Sequence, residues 1–208
     1  MSTALITHWH PDHVGGTSQL RLLCPSVTIY ENDPSDPSIK DISPGQTFSV
    51  AGATIRAFHC PGHTTNHMAF ILEEEDAMFT GDNVLGHGTA VFEDLATYMQ
   101  SLDRMKKQFK GRAYPGHGAV IEDGPSKIDE YIQHRKEREE QVLRVLNDGP
   151  QSGMTPMEIV KVVYKEYNPD LYDAAARGIL LILNKLEGDG KVEDVGHDKF
   201  RLISNGKP

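Results

Sequence analysis

Three imidazoles and a carboxylate fall within six residues, His8-Trp9-His10-Pro11-Asp12-His13, directly after the apolar stretch Ala4-Leu5-Ile6. Side chains two apart on an extended strand share a face, so His8 and His10 aim at one point. Asp12 and His13 follow where Pro11 and then Gly15-Gly16 turn the chain, and they serve a second point nearby. Three later landmarks each close a predicted strand. Pro61-Gly62-His63 sets His63 on a tight turn, and Gly81-Asp82 sets Asp82 after a residue that permits close backbone approach. Pro115-Gly116-His117 repeats the strand–turn–His format. Five histidines and two carboxylates thus converge on one rim. Imidazole and carboxylate donors without thiolate suit zinc best, with iron or manganese as alternatives. A pair of divalent metal ions shares a bridging ligand, and Asp82 is the natural candidate.

Any one of these histidines alone reads as an ordinary polar residue; the ordered set argues for the metal. His67, His87 and Tyr114 lie close in sequence to the candidate ligands and are expected behind them or against substrate. His59 reads as sheet filling, Cys60 as a small packing residue, and His134 and His197 as surface groups.

The elements that must hold these turns are readable in outline. Short apolar or β-branched runs punctuated by Gly, Pro and Asn predict strands at Ala4–Thr7, Val27–Glu31, Thr47–Val50, Thr54–His59, Met68–Leu72, Ala77–Thr80 and Arg112–Tyr114. Ala51-Gly52 and Glu73–Asp76 read as hairpin turns. A helix follows Gly16, and a longer one runs from Leu95 to Phe109 with Leu95, Tyr98, Met99, Leu102 and Met105 on one face. From residue 126 the pattern turns helical. Ser126 caps a charged helix through Leu146, closed by Gly149-Pro150. Thr155-Pro156-Met157-Glu158 starts a second, and a third carries Leu180, Leu181, Leu183 and Leu186. Lys191–Val195 and Lys199–Ile203 then flank Gly196-His197-Asp198 as a hairpin. Helix, helix and hairpin predict a small winged-helix-like tail; its third helix is apolar with Asp170 and Asp173 at its start, which favours packing over DNA reading.

The chain has 208 residues, 38% of them hydrophobic, enough for one sizeable core and an appendage. Its formal net charge of −9 argues against a partner rich in phosphate, since such binding needs Lys and Arg contacts. Cys24 and Cys60 have no CxxC spacing and read as reduced thiols. No apolar run is long enough to span a bilayer, and no membrane partner is expected. No secretory signal is visible; the cytoplasm is the default compartment, the mitochondrion the alternative if the natural start lies upstream.

The order HxHxDH, Gly-His63, Gly-Asp82 and Gly-His117 resembles the metallo-β-lactamase-fold hydrolase superfamily over most of residues 1–120. The resemblance implies that His8, His10 and His63 hold one metal ion, that Asp12, His13 and His117 hold the other, and that Asp82 bridges them. Gly86–Leu95, Pro115–Glu122, His134–Glu139 and Thr155–Val160 are similar to a lactamase-like branch that ends in a winged helix. That branch includes fungal thioesterases that release polyketides from an acyl carrier protein domain of a polyketide synthase, and mitochondrial endoribonucleases that cut single-stranded RNA. The implied architecture is an α/β sandwich of αββα layers with a C-terminal winged-helix-like domain, residues 1–125 and 126–208. Members of the family carry several strands before the HxHxDH strand that this chain lacks, so an unpaired sheet edge and an exposed apolar face are expected.

The chemistry so implied is metal-assisted hydrolysis, with Asp12 both ligating and orienting the nucleophile. Thioester hydrolysis in secondary metabolism is the preferred reading, because a thiolate leaves without a strong general acid. Cleavage of single-stranded RNA is the alternative; it wants cationic and stacking groups, and Lys106, Lys107, Lys110, Arg112 and Tyr114 cluster in sequence. A catalytically dead binding module is the third reading.

Overall fold

The computed structural model describes residues 1–203, which divide into two compact units, Met1–Ile132 and the segment from Gln133 onward. The first unit is built on two sheets. Strands β1 (Thr3–Leu5), β2 (Thr28–Glu31) and β3 (Lys40–Asp41) are parallel neighbours in that order. Two short helices, α1 (Pro11–Val14) and α2 (Thr17–Leu23), connect β1 to β2. The other long side of β1 has no strand partner among the described residues.

The second sheet runs β4 (Thr47–Val50), β5 (Ala53–His59), β6 (Met68–Leu72), β7 (Ala77–Gly81) and β8 (Ala113–Pro115). It is antiparallel until β8, which pairs parallel to β7 because helix α3 (Leu95–Met105) lies between them in the chain. Strand β6 is buried on both faces through Met68, Ala69, Phe70 and Ile71, as a central strand covered from two sides must be. One core cluster joins Ile42, Ala57, Met68 and Phe70 with Leu5, Tyr30, Phe48 and Ile55. Another gathers Ile6, Ile29 and Ile39. The backbone N–H of Met68 donates to Thr7 O at 2.7 Å, so the residue just before His8 is tied to the start of β6.

Several details depart from the sequence reading. The first strand stops at Leu5, and His8 and His10 stand on irregular chain beyond it rather than on a strand. Strand β3 was not expected; two residues of Lys-Asp give no periodicity to detect. Helix α3 ends at Met105 instead of Phe109, and its buried face takes Ser101 where Met99 was expected, because the Ser101 hydroxyl donates to Pro61 O at 2.7 Å. Its cap is Asp94, which accepts from Thr97 N at 2.7 Å.

Helix α4 (Gly124–Asp148) passes from the first unit into the second. Ser126 is not its cap: its own backbone N–H donates to Asp123 Oδ1 at 3.0 Å, so Asp123 serves that role three residues before the expected cap. Within the second unit, α5 (Pro156–Val163) begins with a complete capping box between Thr155 and Glu158. Helix α6 (Tyr172–Gly188) buries Ile179, Ile182, Leu183 and Leu186, whereas Leu180 is turned outward. Strands β9 (Val192–Asp194) and β10 (Phe200–Leu202) form an antiparallel hairpin, and Met154 and Phe200 exchange backbone hydrogen bonds at 2.9 Å. No helix among the described residues is long and apolar enough to cross a membrane.

Candidate metal centre

Three imidazole nitrogens form a triangle at the end of β1. His8 Nε2 and His10 Nδ1 stand 3.0 Å apart, His63 Nε2 is 3.2 Å from the first and 3.1 Å from the second. Each neutral ring has at most one proton, so mutual hydrogen bonding does not satisfy all three. Ligands about 2.0–2.1 Å from a tetrahedral cation stand roughly 3.3 Å from one another, close to this spacing. His8 reaches the point from irregular chain with its Nδ1 3.0 Å from the Thr7 hydroxyl. His63 arrives from the β5–β6 connection, and its Nδ1 donates to Val91 O at 2.8 Å, which leaves Nε2 bare toward the other two rings.

A second group faces the first. Asp12 and His13 lie on α1, a single helical turn, and His117 follows β8. Asp12 Oδ2 is 3.0 Å from His117 Nε2 and 3.5 Å from His13 Nε2. Asp82, just beyond β7, stands between the groups: Oδ1 lies 3.4 Å from His13 Nε2, while Oδ2 lies 3.4 Å from His117 Nε2 and 3.8 Å from His63 Nε2. His8, His10, His63 and Asp82 form one set with donor atoms all within 4.8 Å of one another, and Asp12, His13 and His117 form another.

Two atoms test whether these residues fit a cation. His13 Nε2 and Asp82 Oδ1 are buried without any hydrogen-bond partner. Such groups are costly unless something electropositive meets them, and a cation between them satisfies both. The residues fit, and the cluster is able to bind metal.

Burial sets the electrostatics. Burial first, then the rings of His13, His63 and His10, pushes His8 down to about 3, so it is neutral at physiological pH. Burial likewise lowers His63. Asp12 is held below the usual carboxylate range, chiefly by its own backbone N–H and then by His13 and His117. Exposure is graded across the site: the His8 ring is fully buried, whereas the side chains of His117 and Asp12 are 43% and 57% exposed. The second set is therefore the side from which solvent and solutes arrive.

Glycine makes room at one decisive place. A Cβ at Gly116 would come within 2.4 Å of Asp82 Oδ1 and 3.0 Å of His13 Cε1, so no larger residue fits beneath that carboxylate.

The three remaining candidates separate. His67 is completely buried and lies behind Asp82, whose backbone N–H donates to His67 Nε2 at 3.1 Å; it has no surface with which to meet substrate. His87 is exposed, with its Nδ1 over Gly118 beside His117. Tyr114 does not join the cluster: its hydroxyl donates to Glu75 Oε2 at 2.9 Å, at the end of β7 opposite Asp82. Closeness in sequence to His117 does not bring it there, because Tyr114 sits within β8 with its hydroxyl reaching back to Glu75, whereas His117 lies beyond the end of that strand. His134, expected at the surface, is half-buried and lowered by that burial.

Sequence reasoning missed the supports. Buried Glu31 accepts from Asn66 Nδ2 at 3.2 Å, and Asn66 accepts from the Thr64 hydroxyl at 2.9 Å, which anchors the loop carrying His63 to β2. Burial raises Glu31. The one available signal was an acidic residue ending the otherwise apolar stretch from Val27.

Comparison with known proteins agrees with this geometry. The metallo-beta-lactamase superfamily profile matches residues 2–117, and that of the beta-lactamase associated winged helix domain matches residues 155–200. The lactamase-like protein nscB of Arthroderma gypseum is 46% identical over 98% of this chain and 71% of its own length. A protein of Aspergillus chevalieri named atrochrysone carboxyl ACP thioesterase is 47% identical over 91% of this chain and 64% of its own length. Among solved structures, a beta-lactamase domain protein from Burkholderia ambifaria superposes with a TM-score of 0.84 at 19% identity, covering 97% of this chain and 74% of that one. With the profile spanning more than half of its residues and the donor sets gathered where β1, β7, β8 and the β5–β6 loop end, the chain belongs to the metallo-beta-lactamase superfamily and carries a C-terminal beta-lactamase associated winged helix domain.

Proposed function

We propose that the chain hydrolyses thioesters of acyl-carrier-protein-bound polyketides, using two divalent ions, zinc by preference. His8, His10 and His63 would hold one ion, Asp12, His13 and His117 the other, with Asp82 shared. The observation that carries the reading is the position of Asp82, whose two oxygens face imidazoles of both sets at 3.4–3.8 Å. The metal preference follows from donors that are all imidazole and carboxylate. When bound, such ions supply Lewis acidity, polarising a carbonyl and ionising a water near neutral pH.

The chain's own residues do the rest. His8 and His63 are held neutral by burial and turn bare Nε2 atoms toward the site, with their Nδ1 atoms against the Thr7 hydroxyl and Val91 O, so neither presents a proton to a leaving group. A leaving group that needs no protonation fits that site, and a thiolate is one. Asp12, exposed and ionised beside His117, is placed to orient the attacking group. The thioester substrate is supported by the relative named atrochrysone carboxyl ACP thioesterase.

Two of the four cationic groups that the RNA alternative would use are paired with carboxylates: Lys106 with Asp129 at 2.8 Å, and Arg112 with Glu122 at 2.8 Å. The test compares an acyl-carrier-protein thioester with a single-stranded RNA oligonucleotide, each with and without chelator. Chelator-sensitive thioester cleavage is expected, falling at least a hundredfold in Asp82→Ala, since altering groups that merely orient ligands already costs roughly 10–100-fold. RNA cleavage without thioester cleavage would overturn the reading.

A further inference from the structure

His67 is a buried titratable ring that supplies no donor to either set, yet three consecutive residues are shaped around it. Its Nε2 accepts from the backbone N–H of Asp82 at 3.1 Å. A backbone nitrogen only donates, so Nε2 carries the lone pair and the ring proton sits on Nδ1. Nδ1 faces Cys60 Sγ at 3.3 Å, while Asn83 Nδ2, 3.2 Å away, has acceptors for both of its hydrogens in Cys60 O at 2.7 Å and Met105 Sδ at 3.6 Å. On the other side Gly81 has φ +53°, and a Cβ there would come within 2.6 Å of His67 Nε2. Gly81 makes room for the ring, Asp82 hydrogen bonds to it, and Asn83 closes over it.

We propose that His67 is a positioning residue. Its neutral Nδ1–H tautomer, backed by the Cys60 sulfur, pins the peptide nitrogen of Asp82 and so sets the carboxylate between the two donor sets. A tautomer flip would turn Nε2 into a donor facing a donor and push the Asp82 backbone away. The inference rests on the reading of Asp82 as the shared ligand.

Two measurements on the full chain test it. In metal-free protein with 15N-labelled histidine, long-range 1H–15N NMR is expected to show His67 as the Nδ1–H tautomer; an Nε2–H tautomer would overturn the proposal. Zinc affinity by chelator competition is then compared for the parent, His67→Leu and His67→Gln, whose side-chain oxygen can still accept from Asp82 N–H. A roughly 10–100-fold weaker affinity is expected for His67→Leu, with most of it restored in His67→Gln. Parent-like affinity in His67→Leu, or equal loss in both variants, would contradict it, since lost packing alone does not distinguish leucine from glutamine in this way. Should His67→Leu fail to fold, Cys60→Ala removes the sulfur behind Nδ1: a several-fold weaker affinity supports the proposal, and unchanged affinity and tautomer overturn it. If the parent binds no zinc, the metal-centre reading fails instead, and the tautomer result still decides the hydrogen-bond arrangement.

Discussion

His8 shows how one side chain couples binding chemistry to stability. Its folded value of about 3 lies well below the ordinary 6.5, so between those limits the unfolded chain binds a proton that the folded chain refuses. Metal-free protein therefore loses stability as pH falls below 6.5, with the loss complete near pH 3. Urea midpoints measured from pH 7 to pH 4 are expected to decline, and His8→Asn to flatten that slope. An unchanged slope in the variant would show that His8 is not held neutral. Gly116 is the complementary case, where the constraint is space. Gly116→Ala drives a methyl toward Asp82 Oδ1 and His13 Cε1, so zinc affinity should fall at least about tenfold. Titration against a chelating dye reads this directly, and parent-like affinity would mean that the Asp82 carboxylate is free to move.

Elements rather than single residues explain what could be read without coordinates. The hairpin at Ala51-Gly52 and the turn at Glu73–Asp76 were readable because Gly52 at φ +82° and Asp76 at φ +49° are the residue types that reach left-handed backbone. The four ligand-bearing turns were readable for a similar reason, each being a chemically loaded residue beside glycine or proline. Supports such as Asn66 on Glu31, or the Val91 carbonyl on His63, join residues distant in sequence and leave no local pattern. Helix α6 shows the limit of periodicity: its leucines mark the helix without telling its faces, for Ile179 is buried and Leu180 is 39% exposed. Leu183→Ala should accordingly cost about 2–5 kcal/mol, because Leu183 is fully buried. Leu180→Ala should stay within roughly 0.5 kcal/mol. Denaturant melts of the two variants decide this, and equal losses would contradict the assigned face.

At the scale of the whole molecule, donors come from residues 8 to 117, spread over the loop after β1, α1, the β5–β6 connection and the ends of β7 and β8. No segment of that list makes a site by itself; the fold brings them together at one end of the strands. Metal and fold are then linked, since a cation bound only by the folded chain stabilises it by mass action. The most direct measurement is zinc content per chain after equilibration with excess zinc and gel filtration, for the parent and Asp82→Ala. Two ions per parent chain are expected, with fewer retained when the shared carboxylate is removed. A parent that retains well under one ion per chain would contradict the paired centre.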